Sequence, residues 1–314
     1  SMVFTLLFSF NSFEQVTYQK VYGDAGTSFN LFTDACATSN NEVVNVGCWT
    51  PSVPTTSLQP FVTKVDENGA VMWSKEFASP GIGYAQSISP VSDGGFLIAG
   101  RIDTLNTAGS DDDAFVLKVD ENGGFLWMKI IGSSVVETFK RVYEAPNGEI
   151  VALGINKSTM NSDEHSWFVR MSSTGTVISS AIYFASPNSE AHTMLFHPDG
   201  GYVIGGIGTT NSNSEAFLFK ISDDGSLQWF KSYGISGEAE TIHDMVMLPD
   251  TSIVFVGTRT VSDRDIFMGK TDSLGNLIWF QNYGGPEHDE AYRILEHSNG
   301  GYVVGGSTEG LDGA

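Results

Sequence analysis

Short apolar runs, each closed by Gly, Asp or Asn, recur along the whole chain. Phe96-Leu97-Ile98-Ala99-Gly100, Tyr202-Val203-Ile204 and Tyr302-Val303-Val304 are examples, rich in β-branched and aromatic residues. Runs this short, punctuated by turn residues, predict strands and no long helix. The pattern also repeats. A stretch ending in Trp runs from Lys64 to Trp73 and returns from Lys118 to Trp127, Lys220 to Trp229 and Lys270 to Trp279, with a degenerate copy from Arg170 to Ser179. These copies start at 64, 118, 170, 220 and 270, a period of about fifty residues.

A second anchor is a hairpin, Ser92-Asp93-Gly94-Gly95 leading to Gly100. Its copies lead to Gly154, Gly206, Gly257 and Gly306, and Asn40-Asn41 leading to Gly47 is a weaker first one. Asp-Gly and Asn-Gly predict a two-residue turn with positive φ at both central positions. Each repeat then reads as four antiparallel strands. One such sheet cannot bury both faces alone, but radial stacking covers them. The expected fold is all-β, a six-bladed β-propeller forming a single domain over residues 1–314, with the recurring Trp and Phe packed between blades.

Six hairpins accompany only five full Lys-to-Trp copies, and the chain ends suggest why. Tyr18 to Gly23 matches the outer-strand stretch Trp229 to Gly234, and Leu6 to Phe10 aligns with Phe217 to Ile221. N-terminal strands are therefore expected to complete the blade begun by the C-terminal hairpin, removing an open sheet edge. Asn11 to Glu14 lacks the usual Asp-x-x-Gly turn, so residues 3–14 can also be read as a secretory-signal remnant. In that case the last blade needs a strand beyond Ala314.

Charge narrows the partners. Asp and Glu number 37 against 16 Lys and Arg, a net charge of -21. Nucleic acid and anionic membranes are poor partners for such a surface. Solubility explains the acidity, and attraction to cations or a basic partner is the alternative. No stretch is long and apolar enough for a transmembrane helix. Two cysteines are present. A hairpin turning at Asn40-Asn41 sets Cys36 opposite Asn45 and Cys48 opposite Thr33, too far apart for a disulfide, and predicts two free, buried thiols.

No reaction motif is evident: no Gly-x-Ser-x-Gly elbow, no His-Glu-x-x-His, no P-loop and no sialidase-type Asp box. Repeat alignment gives a subtler signal. Seven residues before the turn Asp or Asn stand Thr33, Gln86, Lys140, His192, His243 and Tyr292. Six residues before it stand Asp34, Ser87, Arg141, Thr193, Asp244 and Arg293. Both columns fall on the first strand of each repeat, so a polar ring is expected at one channel mouth. Lys140, Arg141 and Arg293 can hold a carboxylate or sulfate there. His192, His243 and Asp244 can act as base and acid or hold a metal, and Asp34 and Tyr292 complete the candidate ligand site. A solvated mouth of mutually satisfied charges is the bland alternative. Asp111-Asp112-Asp113 suggests a weak calcium site, against a simple acidic loop, since Asp163, Glu164, Asp263 and Asp265 occupy equivalent loops. No other cofactor is expected.

The composite pattern Phe-x-x-Lys-x-Asp-x-x-Gly-x-x-x-Trp-x-x-x-Tyr-Gly-Gly, then Asp-Glu-Ala and an Asn-Gly-Gly-Tyr hairpin, has its best copy from Phe267 to Gly306. It resembles the secreted and cell-surface propeller repeats of Bacteroidetes-type bacteria, often exported by type IX secretion. The Gly-x-x-x-Trp element also resembles the tryptophan-docking motif of quinoprotein propellers, which locks blades together. The first resemblance implies an extracellular protein. With no reaction motif, the expected role is a non-catalytic module, monomeric in isolation, that binds a protein or glycan. A polysaccharide lyase or hydrolase using the polar ring is one alternative, and a structural part of a surface secretion, gliding or adhesion machine is another.

Overall fold

The computed structural model describes residues 30–50, 58–77, 81–103, 112–133, 135–157, 163–183, 188–210, 213–235, 237–285 and 287–309. It is all-β and propeller-like. Sheet 1 contains β1 (Asn30–Ala37), β2 (Val43–Trp49), β3 (Gln59–Val65) and β4 (Val71–Glu76). Sheet 2 contains β5 (Ile82–Pro90), β6 (Phe96–Asp103), β7 (Asp113–Val119) and β8 (Phe125–Ile131). In sheet 3 follow β9 (Val136–Glu144), β10 (Ile150–Lys157), β11 (Glu164–Met171) and β12 (Val177–Tyr183). In sheet 4 come β13 (Asn188–Phe196), β14 (Tyr202–Thr210), β15 (Asn213–Ile221) and β16 (Leu227–Tyr233). Sheet 5 holds β17 (Ala239–Met247), β18 (Ile253–Thr260), β19 (Arg264–Thr271) and β20 (Leu277–Tyr283), and sheet 6 holds β21 (Asp289–Glu296) and β22 (Tyr302–Thr308). Every sheet is an antiparallel meander in chain order, and each touches the next through that sheet's first strand.

The core lies between consecutive sheets. Val44, Val46 and Val62 meet Ile98, Phe115 and Leu117 between sheets 1 and 2. On the opposite face of sheet 2, Leu97 and Val116 meet Phe139, Trp167 and Val169 of sheet 3. Alternate residues of one strand therefore serve two different cores. Middle strands are buried on both faces, which is why they read as continuous apolar runs rather than alternating ones.

The tryptophans dock as their motif implies. Trp73 lies against Gly123 of the next sheet, where an added Cβ would sit 2.8 Å from the indole. Trp127 meets Gly175 and Trp229 meets Gly275 in the same way. Sheet 3 carries Ser179 instead of Trp, and there the Tyr183 hydroxyl donates to the Gly225 carbonyl. In sheets 1 to 3 the third-strand Lys or Arg locks the sheet to its own hairpin. Lys64 pairs with Glu42 at 2.6 Å, Lys118 with Asp93 at 2.5 Å and Arg170 with Glu149 at 2.8 Å.

The hairpins correct the turn expectation. Gly94 N donates to Val91 O, and Val91 N donates to Gly95 O, enclosing a three-residue loop. Only its last residue needs positive φ, as at Gly94 (φ 88), Gly148 (φ 80) and Thr251 (φ 65). This loop and a bulge at Thr33 set Cys36 opposite Val44 and Cys48 opposite Leu31, not Asn45 and Thr33. Both thiols are free; Cys48 is buried and Cys36 half-buried.

Sheet 6 has two strands among the described residues, and its Leu295 and Val303 are exposed. The expected N-terminal closing strands and residues 3–14 lie outside the described residues, as does Leu311-Asp312-Gly313. Arg293 of sheet 6 nevertheless donates to Asp34 of sheet 1 at 2.6 Å, joining the first and last sheets. No helix among the described residues is long and apolar enough to cross a membrane.

Candidate functional site

Every first strand carries a β-bulge at the same place. Register shifts fall between Phe32 and Asp34, Ala85 and Ser87, Ala191 and Thr193, Ile242 and Asp244, and Ala291 and Arg293. In β9, Arg141 and Phe139 pair with consecutive residues of β10 and leave Lys140 out of the ladder. The unpaired residues are therefore Thr33, Gln86, Lys140, His192, His243 and Tyr292, the column that repeat alignment singled out. A bulge bends its strand and re-aims the extra side chain.

The bulge also explains the glycine ending each hairpin run. A Cβ on Gly47, Gly100, Gly154, Gly206 or Gly306 would lie 1.9 Å from a carbonyl oxygen of the bulged strand, and one on Gly257 would lie 1.7 Å away. Only glycine admits that close approach.

Asp34 and Asp244 are staples between sheets. Asp34 accepts from Ile88 N at 3.1 Å as well as from Arg293. Asp244 accepts from Ile294 N at 3.1 Å and from the Thr193 hydroxyl at 3.2 Å. Arg141 donates to the neighbouring Lys140 carbonyl at 2.9 Å. The two histidines stack at 5.5 Å with rings 7° apart, and Tyr292 follows His243 at 5.7 Å. Burial, then the neighbouring His192, pulls His243 down to about 4, so it is neutral at pH 7.

Sheets 2 to 4 line a half-open cavity of about 410 Å3 beside these bulged residues. Its polar wall is made by Gln86, Arg101, Asp112, Thr138, Lys140, Lys157, Glu164 and Glu190. Arg101 pairs with Asp112 at 2.9 Å and lies over the Tyr84 ring at 4.6 Å. Lys157 pairs with Glu164 at 2.7 Å. Lys140 makes no ion pair among the described residues, and burial lowers its affinity for a proton. Burial, then Glu190, raises Glu164, whereas the His192 hydrogen bond chiefly lowers Glu190.

The structure thus brings Lys140 and His192 to the cavity's edge through Glu190. It separates Arg141, Arg293, Asp34, Asp244, His243 and Tyr292 from the cavity wall and leaves them elsewhere on the first strands. Sequence reasoning missed Glu190 and gave Glu164 no role beyond loop acidity. Glu190 stands two residues before the bulge residue, in a column holding Tyr84, Thr138 and Glu290, so a third aligned column contained the signal. Asp112 is bound by Arg101, and Asp111 lies outside the described residues.

No family model and no curated protein matches the chain. Solved structures do. An unknown-function protein from Dyadobacter fermentans matches at a TM-score of 0.56 and 14% identity, over 90% of this chain and 94% of that one. A Penicillium chrysogenum alpha-L-arabinanase complexed with arabinobiose matches at 0.55 and 13%, again over 90% and 94%. A PL25 ulvan lyase, a polysaccharide lyase, matches at 0.58 and 10%, over 81% of this chain and 66% of that one. At such identities the likeness is one of fold: a propeller-like all-β architecture.

Proposed function

We propose that the chain is a secreted or cell-surface binding module whose cavity between sheets 2 and 4 takes a glycan. One observation carries the reading. Lys140 is held off the strand ladder by a bulge, without an ion pair among the described residues, at a cavity otherwise walled by Gln86, Thr138, the apolar Val136 and Ile155, and charged side chains that have partners. A polar wall with several fixed donors and acceptors suits a polyhydroxylated ligand. The arabinanase and the ulvan lyase place glycan chemistry on related architectures, which adds support. A glycan microarray tests it, run with wild type and with Gln86→Trp to fill the cavity. Wild-type hits that the Trp variant loses sustain the reading; hits unaffected by it, or none, reject it.

A glycan-acting enzyme is the second reading, favoured by the Glu164–Glu190 pair with its opposed proton affinities. Elimination from an acidic polysaccharide is the reaction to assay first. Unsaturated product from any array hit, lost in Glu190→Gln, would replace binding by turnover.

Three further parts belong to the proposal. N-terminal strands complete sheet 6 and close a six-bladed ring, supported by the exposed Leu295 and Val303 and by the Arg293–Asp34 bond. The resemblance to Bacteroidetes-type exported repeats supports type IX export. A surface assembly role finds support in the outer strands, which open on exposed apolar residues: Val71-Met72, Phe125-Leu126, Val177-Ile178, Leu227 and Leu277-Ile278.

A further inference from the structure

The cavity's charges are unevenly matched. Its wall carries three cations, Arg101, Lys140 and Lys157, and three carboxyls, Asp112, Glu164 and Glu190. Arg101 is taken by Asp112 and Lys157 by Glu164. Of the three cations, Lys140 alone makes no ion pair among the described residues. His192 stands behind Glu190, its Nε2 at 3.5 Å from that carboxylate and its Nδ1 at 3.2 Å from the Ile242 carbonyl. Both ring nitrogens face acceptors, so His192 is spent on the Glu190 carboxylate and the Ile242 carbonyl.

The other two cations that sequence reasoning offered for an anion are occupied. Arg293 is bound to Asp34 at 2.6 Å, and Arg141 is turned onto the Lys140 carbonyl. Lys140 is a point charge with three donors, able to pair with an oxyanion of any shape. Its partly desolvated position strengthens such a pair relative to one in bulk water.

We infer that the ligand of this cavity is a sugar bearing one anionic group, carboxylate or sulfate ester, and that Lys140 binds that group. Thr138 and Gln86, on the same wall, face the sugar's hydroxyls. The carboxyl pair works as a charge filter. A second negative charge on the same sugar ring would meet Glu190 and be repelled. The inference rests on the glycan reading above and narrows it to acidic sugars.

The test titrates wild type, Lys140→Met and Lys140→Arg with glucuronate, glucose 6-sulfate, glucose and inorganic sulfate, read by calorimetry and by backbone amide shifts. Wild type is expected to bind at least one acidic sugar about tenfold more tightly than glucose. In Lys140→Met that preference should shrink below about threefold, and Lys140→Arg should restore most of it. Preference for glucuronate over the sulfated sugar, or the reverse, assigns the group. If glucose binds as tightly as both acidic sugars, or if Lys140→Met keeps the preference, the inference is wrong and the glycan reading stands. If inorganic sulfate binds as tightly as the acidic sugars, the glycan reading falls while Lys140 remains an anion site. If none binds, both fall. Amide shifts confined to sheets 2 to 4 verify that Lys140→Met remains folded.

Discussion

Gly154→Ala should be among the most damaging single-methyl additions in the molecule. Gly154 pairs with Phe139 immediately before the Lys140 bulge. An added Cβ would lie 1.9 Å from the Thr138 carbonyl oxygen and 2.9 Å from the Phe139 Cα. An unstrained carbon–oxygen contact needs about 3.3 Å, so β9 and β10 must separate by roughly 1.4 Å at that point. Overpacking of this kind costs about 1–3 kcal/mol, and ladder hydrogen bonds stretched on either side add about 1 kcal/mol each. The expected loss is about 3–4 kcal/mol. Gly148→Ala is the matched control on the same hairpin. There φ is +80° and nothing lies within 4 Å of the new Cβ, so only the left-handed backbone is penalised, by about 1 kcal/mol. Urea unfolding followed by tryptophan fluorescence compares the two. Gly154→Ala should lose at least 2 kcal/mol more than Gly148→Ala. Equal losses would refute the bulge as the reason for glycine at this column.

Other expectations follow from particular contacts. Thr251 is a β-branched residue at φ 65, where four aligned hairpins have glycine, so Thr251→Gly should raise stability by about 1 kcal/mol and lift the melting temperature. Asp34→Ala removes an acceptor shared by Ile88 N and Arg293; with Arg293 41% exposed the cost should be about 2 kcal/mol, and Asp34→Asn should recover part of it. Glu137 and Glu240 are buried, and burial raises both above the ordinary glutamate value of 4.5. The stability they favour is full below that value and is lost as pH rises through their raised folded values. A Glu137→Gln/Glu240→Gln variant should therefore gain on wild type in melting temperature between about pH 5 and pH 8, and a constant difference would contradict the assignment.

The fold was legible because repetition amplifies weak signals. A single Asp-x-x-Gly-x-x-x-Trp means little, but near-regular copies at one period require equivalent sheets, and Trp73 on Gly123 shows the contact that the motif encodes. The polar column was legible for the same reason. Its cause was not: a bulge leaves no mark on one strand, and only the Gly at 47, 100, 154, 206, 257 and 306 opposite it records the crowding. Turn length was misread because Asp-Gly serves both two- and three-residue loops, and that error carried into the Cys36 and Cys48 register. The cavity was beyond reach. Its wall draws Lys140, Lys157, Glu164 and Glu190 from four different strands, and which charges are spent on each other is decided by packing between sheets.

The glycan site can be tested most directly by diffraction from crystals soaked with the strongest oligosaccharide from the array. Sugar density is expected in the cavity between sheets 2 and 4, with an acidic group within hydrogen-bond distance of Lys140 Nζ and hydroxyls near Thr138 and Gln86. Density on the outer strands, or at His243 and Tyr292 with the cavity unfilled, would contradict a glycan site there.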